Sequence, residues 1–261
     1  MLTVVGTGFM VAGQVTAESV AAIRDADRVL FLVADAATRL WLQGLNPSAQ
    51  SLYDAYAEGR HRLESYREMV ERILAPVRTG LRVCAVFYGH PGVFVNPSHE
   101  AVRQARAEGF EACMLPGVSA EDCLFAELEI DPARHGCRSY EATDFLLRRR
   151  PLEPTTGLAL WQVGAIGIAT YYRREVWRTE GLYPLVETLL ECYSPDHEVV
   201  LYTAATLPIG DSTVIRLPLA RLPEAVVSVA ATLYVPPAAA APVDPEVAAR
   251  LGLAEVAEAA P

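Results

Sequence analysis

Tyr53, Tyr56, Arg62 and Tyr66 place three phenols and a permanent cation within fourteen residues. Arg62 and Tyr66 are four apart, so on a helix they share a face. A fixed cation beside a phenol favours the phenolate and lowers its pKa from about 10, which is how a tyrosine becomes a general base. The same residues also suit a packed aromatic face with a cation–π contact. Fixed cations are all that this chain offers. It contains no lysine, so Schiff-base, pyridoxal-phosphate and P-loop lysine chemistry are excluded. Arginine keeps its proton and serves as a cation or a hydrogen-bond fork.

The stretch Phe87-Tyr88-Gly89-His90-Pro91-Gly92-Val93-Phe94 is the most unusual in the chain. It follows an apolar strand and sets Tyr and His beside two glycines, as a ligand loop at the carboxyl end of a strand would. Gly6-Thr7-Gly8 breaks the first strand, but position 11 is Val, so the dinucleotide fingerprint G-x-G-x-x-G is not met. Leu115-Pro116-Gly117-Val118-Ser119 joins a strand pattern to a helical one, with Ser119 as N-cap. The five histidines show no metal-ligand spacing, and His90 alone lies inside a motif. Arg148-Arg149-Arg150 reads as a solvated helix end.

These groups need a scaffold, and the periodicities supply one. Leu2–Val5, Val29–Val33, Leu81–Phe87, Glu111–Leu115, Leu158–Val163, Val199–Thr203 and Val226–Val235 read as strands. Helical patterns cover Ala17–Arg24 (capped by Thr16), Arg60–Arg78, His99–Glu108 and Tyr183–Cys192. Strands alternating with helices give an α/β fold. Pro116-Gly117 suggests a domain boundary near 116–120, hence domains over 1–116 and 117–237 and an Ala/Pro/Glu-rich tail over 238–261. A surface helix is expected over Pro245–Ala259 of that tail. Net charge is −10, which disfavours nucleic acid and anionic membranes as partners. Five cysteines without a C-x-x-C pair, no charged leader before Arg24 and no long apolar run lead us to expect a reduced, cytoplasmic protein with no membrane span.

The segments V-V-G-T-G, F-Y-G-H-P-G-V-F-V-N-P-S and M-L-P-G-V-S-A-E-D-C-L together resemble the methyltransferases of the tetrapyrrole-methylase fold. The match runs from about Leu2 to Pro237. It is closest to the borosin subgroup, the peptide backbone α-N-methyltransferases. Leu52–Tyr66, Tyr140–Leu146 and Gln162-Val163-Gly164 fit that subgroup in spacing. The resemblance implies two α/β domains with S-adenosylmethionine (SAM) in the cleft between them, no metal, and a homodimer. It implies cofactor contacts at Tyr88, His90, Val93, Ala120, Gln162, Ala205, Ala231 and Thr232. It assigns catalysis to Arg62 and Tyr66, with Tyr88, Tyr53 and Tyr56 nearby. After Pro237 this sequence has no Val/Ile/Gly-rich run like the subgroup's substrate cores, so the expected substrate is a separate precursor peptide. The alternative in the same fold is C-methylation of a tetrapyrrole, whose usual G-x-G-P-G motif is broken here by Phe9-Met10. Methylation of ribosomal RNA and a non-catalytic peptide-shielding role are the further alternatives. The charge disfavours the first and intact Arg62, Tyr66 and Tyr88 the second.

Overall fold

The computed structural model describes residues 1–33, 35–172, 179–207 and 209–253. The chain forms two compact units. One comprises Met1–Glu129, Ile168–Val176 and Ala204–Thr213; the other comprises the remainder.

In the first unit the order is β1 (Leu2–Gly6), α1 (Ala17–Asp25), β2 (Arg28–Leu32), α2 (Ala36–Leu45) and β3 (Gln50–Ser51). A 3-10 turn at Tyr53–Ala55 leads to α3 (Arg62–Arg78), β4 (Val83–Phe87), α4 (Asn96–Ala107), β5 (Ala112–Met114) and α5 (Ala120–Glu127). The sheet order is β3-β2-β4-β1-β5, and every pairing is parallel. A parallel sheet is covered on both faces, which is why β1 and β4 are largely apolar and buried at every residue. Ile23 of α1 and Leu42 of α2 pack on the face carrying Val5, Phe31 and Val86. Met69 and Ile73 of α3 and Ala101 and Ala105 of α4 pack on the opposite face, against Leu2, Val4, Ala85 and Phe87. Met69, Ile73 and Leu74 are fully buried, and each contributes about 1.5–3 kcal/mol by burial. The neighbouring strands β1 and β4 thus send their outgoing helices to opposite faces, which leaves a crevice at their carboxyl ends.

The second unit contains α6 (Pro132–His135), β6 (Cys137–Glu141), α7 (Ala142–Leu147), β7 (Gly157–Trp161), α8 (Leu182–Leu189), β8 (Glu198–Thr203), β9 (Thr213–Pro218), β10 (Thr232–Val235) and α9 (Pro245–Arg250). Its sheet runs β6-β7-β10-β8-β9 and is mixed: β6 and β7 are parallel, while β10 is antiparallel to both β7 and β8. Its core gathers Phe145, Leu160, Leu185, Leu189, Leu201 and Leu233.

Three sequence expectations shift. The division falls between Glu129 and Ile130 rather than near 116–120. The helix after the Pro-Gly break stays with the first unit, where Gln14 Nε2 donates to Cys123 Sγ at 3.4 Å. The strand expected over Val226–Val235 forms only at Thr232–Val235. Before it, Ala231 donates its N–H back to Ser228 O at 3.0 Å, and that turn breaks the ladder. The tail helix spans Pro245–Arg250 and ends at Gly252, whose φ of 71° is left-handed. The part of the expected helix from residue 254 on lies outside the described residues.

Candidate active site

In the first unit, the loops after β1, β4 and β5 meet at the carboxyl edge of the sheet. Gly8 and Gly89 form an antiparallel bridge, with Gly89 N–H donating to Gly8 O at 2.9 Å. A Cβ on Gly6 would lie 2.1 Å from Gly89 O, and one on Gly117 would touch the same oxygen at 3.5 Å. Glycine at position 6 is therefore what lets two backbones touch. His90 is fixed by accepting the Gly92 N–H on Nδ1 at 2.9 Å, and Val93 donates its N–H to His90 O. Ser119 caps α5 in a reciprocal box with Asp122, which places Ala120 at the start of that helix. Ala205 donates its N–H to Ser212 Oγ at 2.9 Å, and the adjoining Thr206 accepts from Val11 N–H, so this segment joins the β1 loop.

Beside these loops the tyrosines assemble. His61 caps α3 by accepting the Leu63 N–H, which puts Arg62 at its first turn and Tyr66 one turn on. The Tyr56 ring meets Tyr66 edge-on at 6.4 Å and Tyr53 at 5.8 Å. Tyr88 packs edge-on against Phe9 at 6.1 Å. The Tyr56 and Tyr66 phenols stand beside each other across their edge-on contact. Burial raises the Tyr56 phenol well above the ordinary range; Tyr66 and Tyr88 add to this, and Arg62 opposes it. Tyr88 is likewise pushed up, first by packing and then by Tyr66, while Arg62 opposes; its 46% exposed surface tempers the effect. Among the described residues no carboxylate pairs with Arg62. The acidic groups of α3 go to its neighbours: Arg60 takes Glu64 and Glu68, and Arg72 takes Glu68 and Asp54. Tyr56 lines a recess of about 500 Å³ with Ser51, Tyr53, Asp54 and Tyr171. Tyr66 lines another of about 500 Å³ between α3 and α4, with Leu63, Val70, Asn96 and Glu100.

The structure therefore brings Tyr53, Tyr56, Arg62, Tyr66 and Tyr88 together. Tyr171 belongs to the same cluster, and sequence reasoning missed it because it lies more than a hundred residues downstream. Of the expected cofactor positions, Tyr88, His90, Val93, Ala120 and Ala205 are in the first unit, and Gln162, Ala231 and Thr232 are in the second. Those three are neighbours: Val163 donates its N–H to Ala231 O at 3.1 Å, and Thr232 opens β10. Ala231 and Thr232 are buried. Gln162 takes a left-handed conformation, φ 59° and ψ 38°, uncommon for a residue with a side chain and of a kind concentrated at functional sites. A Cβ on Gly164 would lie 2.1 Å from Ser228 O, so that glycine lets the Gln162 loop press on the segment before β10. Among the described residues no cluster of three or more His, Cys, Asp or Glu could hold a metal ion, and no helix is long and apolar enough to cross a membrane.

Residues 1–223 match the family described as Tetrapyrrole (Corrin/Porphyrin) Methylases. The chain belongs to that family. A methyltransferase/ribosomally synthesized type III borosin cyclic peptide precursor of Anomoporia bombycina is 45% identical over 97% of this chain and 30% of its own length. The corresponding omphalotin A precursor of Omphalotus olearius is 44% identical over 91% of this chain and 58% of its own. The chain thus spans between about a third and three fifths of these curated relatives. Two tetrapyrrole methylases share the fold at 19% identity. Uroporphyrin-III-C-methyltransferase from Thermus thermophilus aligns with a TM-score of 0.63 over 90% of this chain and 91% of that one. Cobalt precorrin-4 methyltransferase aligns at 0.59 over 90% and 94%. The expected α/β tetrapyrrole-methylase fold and the borosin-type resemblance both stand.

Proposed function

We propose that this chain transfers a methyl group from SAM to backbone amide nitrogens of a peptide, working as a homodimer on a separate precursor. The observation that carries the reading is Arg62, which pairs with no carboxylate among the described residues, one helical turn from Tyr66 and within the cluster of Tyr53, Tyr56 and Tyr88. The relatives' names couple a methyltransferase to a ribosomally made cyclic peptide precursor, which points to an amide acceptor. The residues after Pro237 contain no Val/Ile/Gly-rich run.

The residues present suit the cofactor. Within the first unit, the loops at Gly6–Gly8 and Tyr88–Val93 offer backbone amides and carbonyls, and their glycines hold backbones in close contact. Such uncharged donors and acceptors match an adenosine and an amino acid. When bound, SAM supplies an electrophilic methyl group. The chain's own task is the acceptor. An amide nitrogen is a poor nucleophile because its lone pair is delocalised into the carbonyl. Tyr56 is held protonated by burial, so it is the donor to Tyr66, whose oxygen is left to accept the amide proton. Arg62 stabilises the negative charge that the Tyr66 oxygen carries before it takes the proton, or that develops on the amide oxygen as the N–H proton leaves. The test is mass spectrometry of a separate apolar peptide incubated with SAM and the protein. Successive backbone-nitrogen methyl additions are expected. No addition to peptide, together with methylation of a porphyrinogen, would move the chain to tetrapyrrole C-methylation.

A further inference from the structure

We propose that Tyr171 is a positioning residue that holds Tyr56 and Tyr53 in register with the Arg62–Tyr66 pair. This rests on the peptide-methylation reading. Tyr171 stacks on Tyr56, with ring centroids 4.8 Å apart and planes at 22°. It meets Tyr53 edge-on at 6.3 Å, and the two hydroxyls lie 3.0 Å apart, within hydrogen-bond distance. Among the described residues, the Tyr56–Tyr171 pair is stacked, while Tyr53–Tyr56, Tyr53–Tyr171, Tyr56–Tyr66 and Phe9–Tyr88 meet edge-on.

The backbone shows why Tyr171 can fix anything. It runs antiparallel to the residues that lead into α3. Tyr171 N–H donates to Arg60 O at 2.9 Å, Gly59 N–H donates to Tyr171 O at 3.0 Å, and Arg62 N–H donates to Ala169 O at 2.9 Å. His61 and Thr170 form the bridge between these bonds. One short ladder therefore sets the height of the Tyr171 ring against the first turn of α3, which bears Arg62 and Tyr66. The ring then carries that register to Tyr53 and Tyr56, which stand on a separate 3-10 turn and its exit. Stacked aromatic pairs add about 0.5–1.5 kcal/mol beyond area burial, enough to select one side-chain rotamer.

The stack also keeps water from Tyr56. The titratable and charged groups about that phenol are Tyr66 and Arg62 of α3, Tyr88 of the β4 loop, Tyr53, and Tyr171 itself. Arg60 binds the neighbouring Ala55 O, and Asp54 is held by Arg72. Removing the Tyr171 ring leaves all these charges in place and admits solvent, so the Tyr56 phenol falls toward its ordinary value.

The test compares Tyr171→Leu, Tyr171→Phe and Tyr171→Leu combined with Tyr56→Phe, each checked for folding by thermal melting. Tyr171→Leu is expected to lower kcat about 10- to 100-fold, as a misplaced group does, with KM for peptide within about twofold. Tyr171→Phe keeps the stack and is expected to stay within about threefold of the parent in kcat. Alkaline titration of tyrosinate by ultraviolet absorbance needs no substrate. It should show one phenol moved to lower pH in Tyr171→Leu and the same movement absent when Tyr56→Phe is added. Parental turnover in folded Tyr171→Leu, or a tyrosinate titration curve of Tyr171→Leu unchanged from that of Tyr171→Phe, which also lacks this phenol, overturns the proposal. A parent protein that methylates no peptide defeats the functional reading instead, and the titration still decides the role of Tyr171.

Discussion

Arg60 and Arg62 flank one histidine and have opposite surroundings. Arg60 is saturated: its guanidinium meets Glu68, Glu64 and the Ala55 carbonyl. Arg72, three turns along α3, takes Glu68 from the other side and reaches Asp54 and the Ser51 carbonyl. Together these form a charge clasp that fastens the Tyr53–Ala55 turn to α3. Arg62 has no carboxylate among the described residues and faces phenols. The difference separates a cation spent on structure from one available for chemistry. An arginine whose charge is already neutralised by two carboxylates polarises little else, while one surrounded by neutral phenols acts at full strength.

The sharpest way to break this comparison is to remove the free side of it. Tyr66→Phe and Arg62→Ala are each expected to lower methyl transfer by about 10²–10⁴, the usual loss for a general base or its electrostatic partner. Tyr66→Phe keeps the ring against Tyr56 and should melt near the parent temperature. Binding of SAM, followed by calorimetry, should be retained in both variants. Parental turnover in Tyr66→Phe would pass the base role to another phenol. Next in size is Tyr56→Phe, which deletes the donor to Tyr66. A hydrogen bond to a charged group is worth about 1.5–3 kcal/mol, so turnover should drop about 10- to 100-fold. Single-turnover rates should show the loss in the chemical step rather than in peptide binding.

Much of this site was legible in the residues. Arg62 and Tyr66 share a helix face through local spacing alone, and Thr16 and Ser119 cap helices as their types require. The α/β alternation of the first unit was legible as apolar strands such as β1 and β4 between helical patterns. Contacts made across long separations were not legible. Tyr171 carries no local motif, and its role comes from a ladder with residues 59–62 that only the fold brings about. The shorter β10 has a similar cause: Val226–Val235 is apolar enough for a strand, but the turn at Ser228–Ala231 is pinned under Gly164 from a distant loop. β6 and β9 escaped notice for a different reason. Their residues are only partly buried or exposed, so they lack the apolar periodicity that marks a strand. The Pro-Gly break at 116–117 looked like a domain boundary because the sequence does not show α5 tied back to Gln14.

A third prediction sets the site's phenols against titratable groups buried for packing. Burial pushes the Cys84 thiol from 9.0 up to about 12 and the Tyr234 phenol from 10.0 up to about 12. In both cases the fold favours the neutral form. Below the unfolded values both groups are neutral in either state, and their contribution to stability is fully present. Above pH 9.0 the unfolded chain loses the thiol proton first, so stability should fall from there through about pH 12. Denaturant midpoints measured on either side of pH 9.0 check this, and Cys84→Ala should flatten the lower part of the fall. A midpoint that is unchanged up to pH 10.0 would contradict the burial of Cys84.

The smallest effect belongs to the saturated side of the comparison. Glu68→Gln removes the charge shared by Arg60 and Arg72 and keeps the side chain's length. The pairs are partly exposed: the Arg60, Arg72 and Glu68 side chains retain 31%, 32% and 37% of their surface. Such pairs contribute about 0–1 kcal/mol, so melting should move by a few degrees at most. Asp54 still holds Arg72 and Glu64 still reaches Arg60, so the Tyr53–Ala55 turn should remain docked. Turnover should then stay within about threefold of the parent, because the clasp acts on chemistry only through the placement of Tyr53 and Tyr56. The melting difference between parent and Glu68→Gln should shrink with added salt, since screening weakens the ion pairs that only the parent makes through Glu68. If Glu68→Gln instead abolished turnover as Arg62→Ala does, the division between a structural and a chemical arginine would collapse. The acidic side of α3 would then have to belong to the reacting centre.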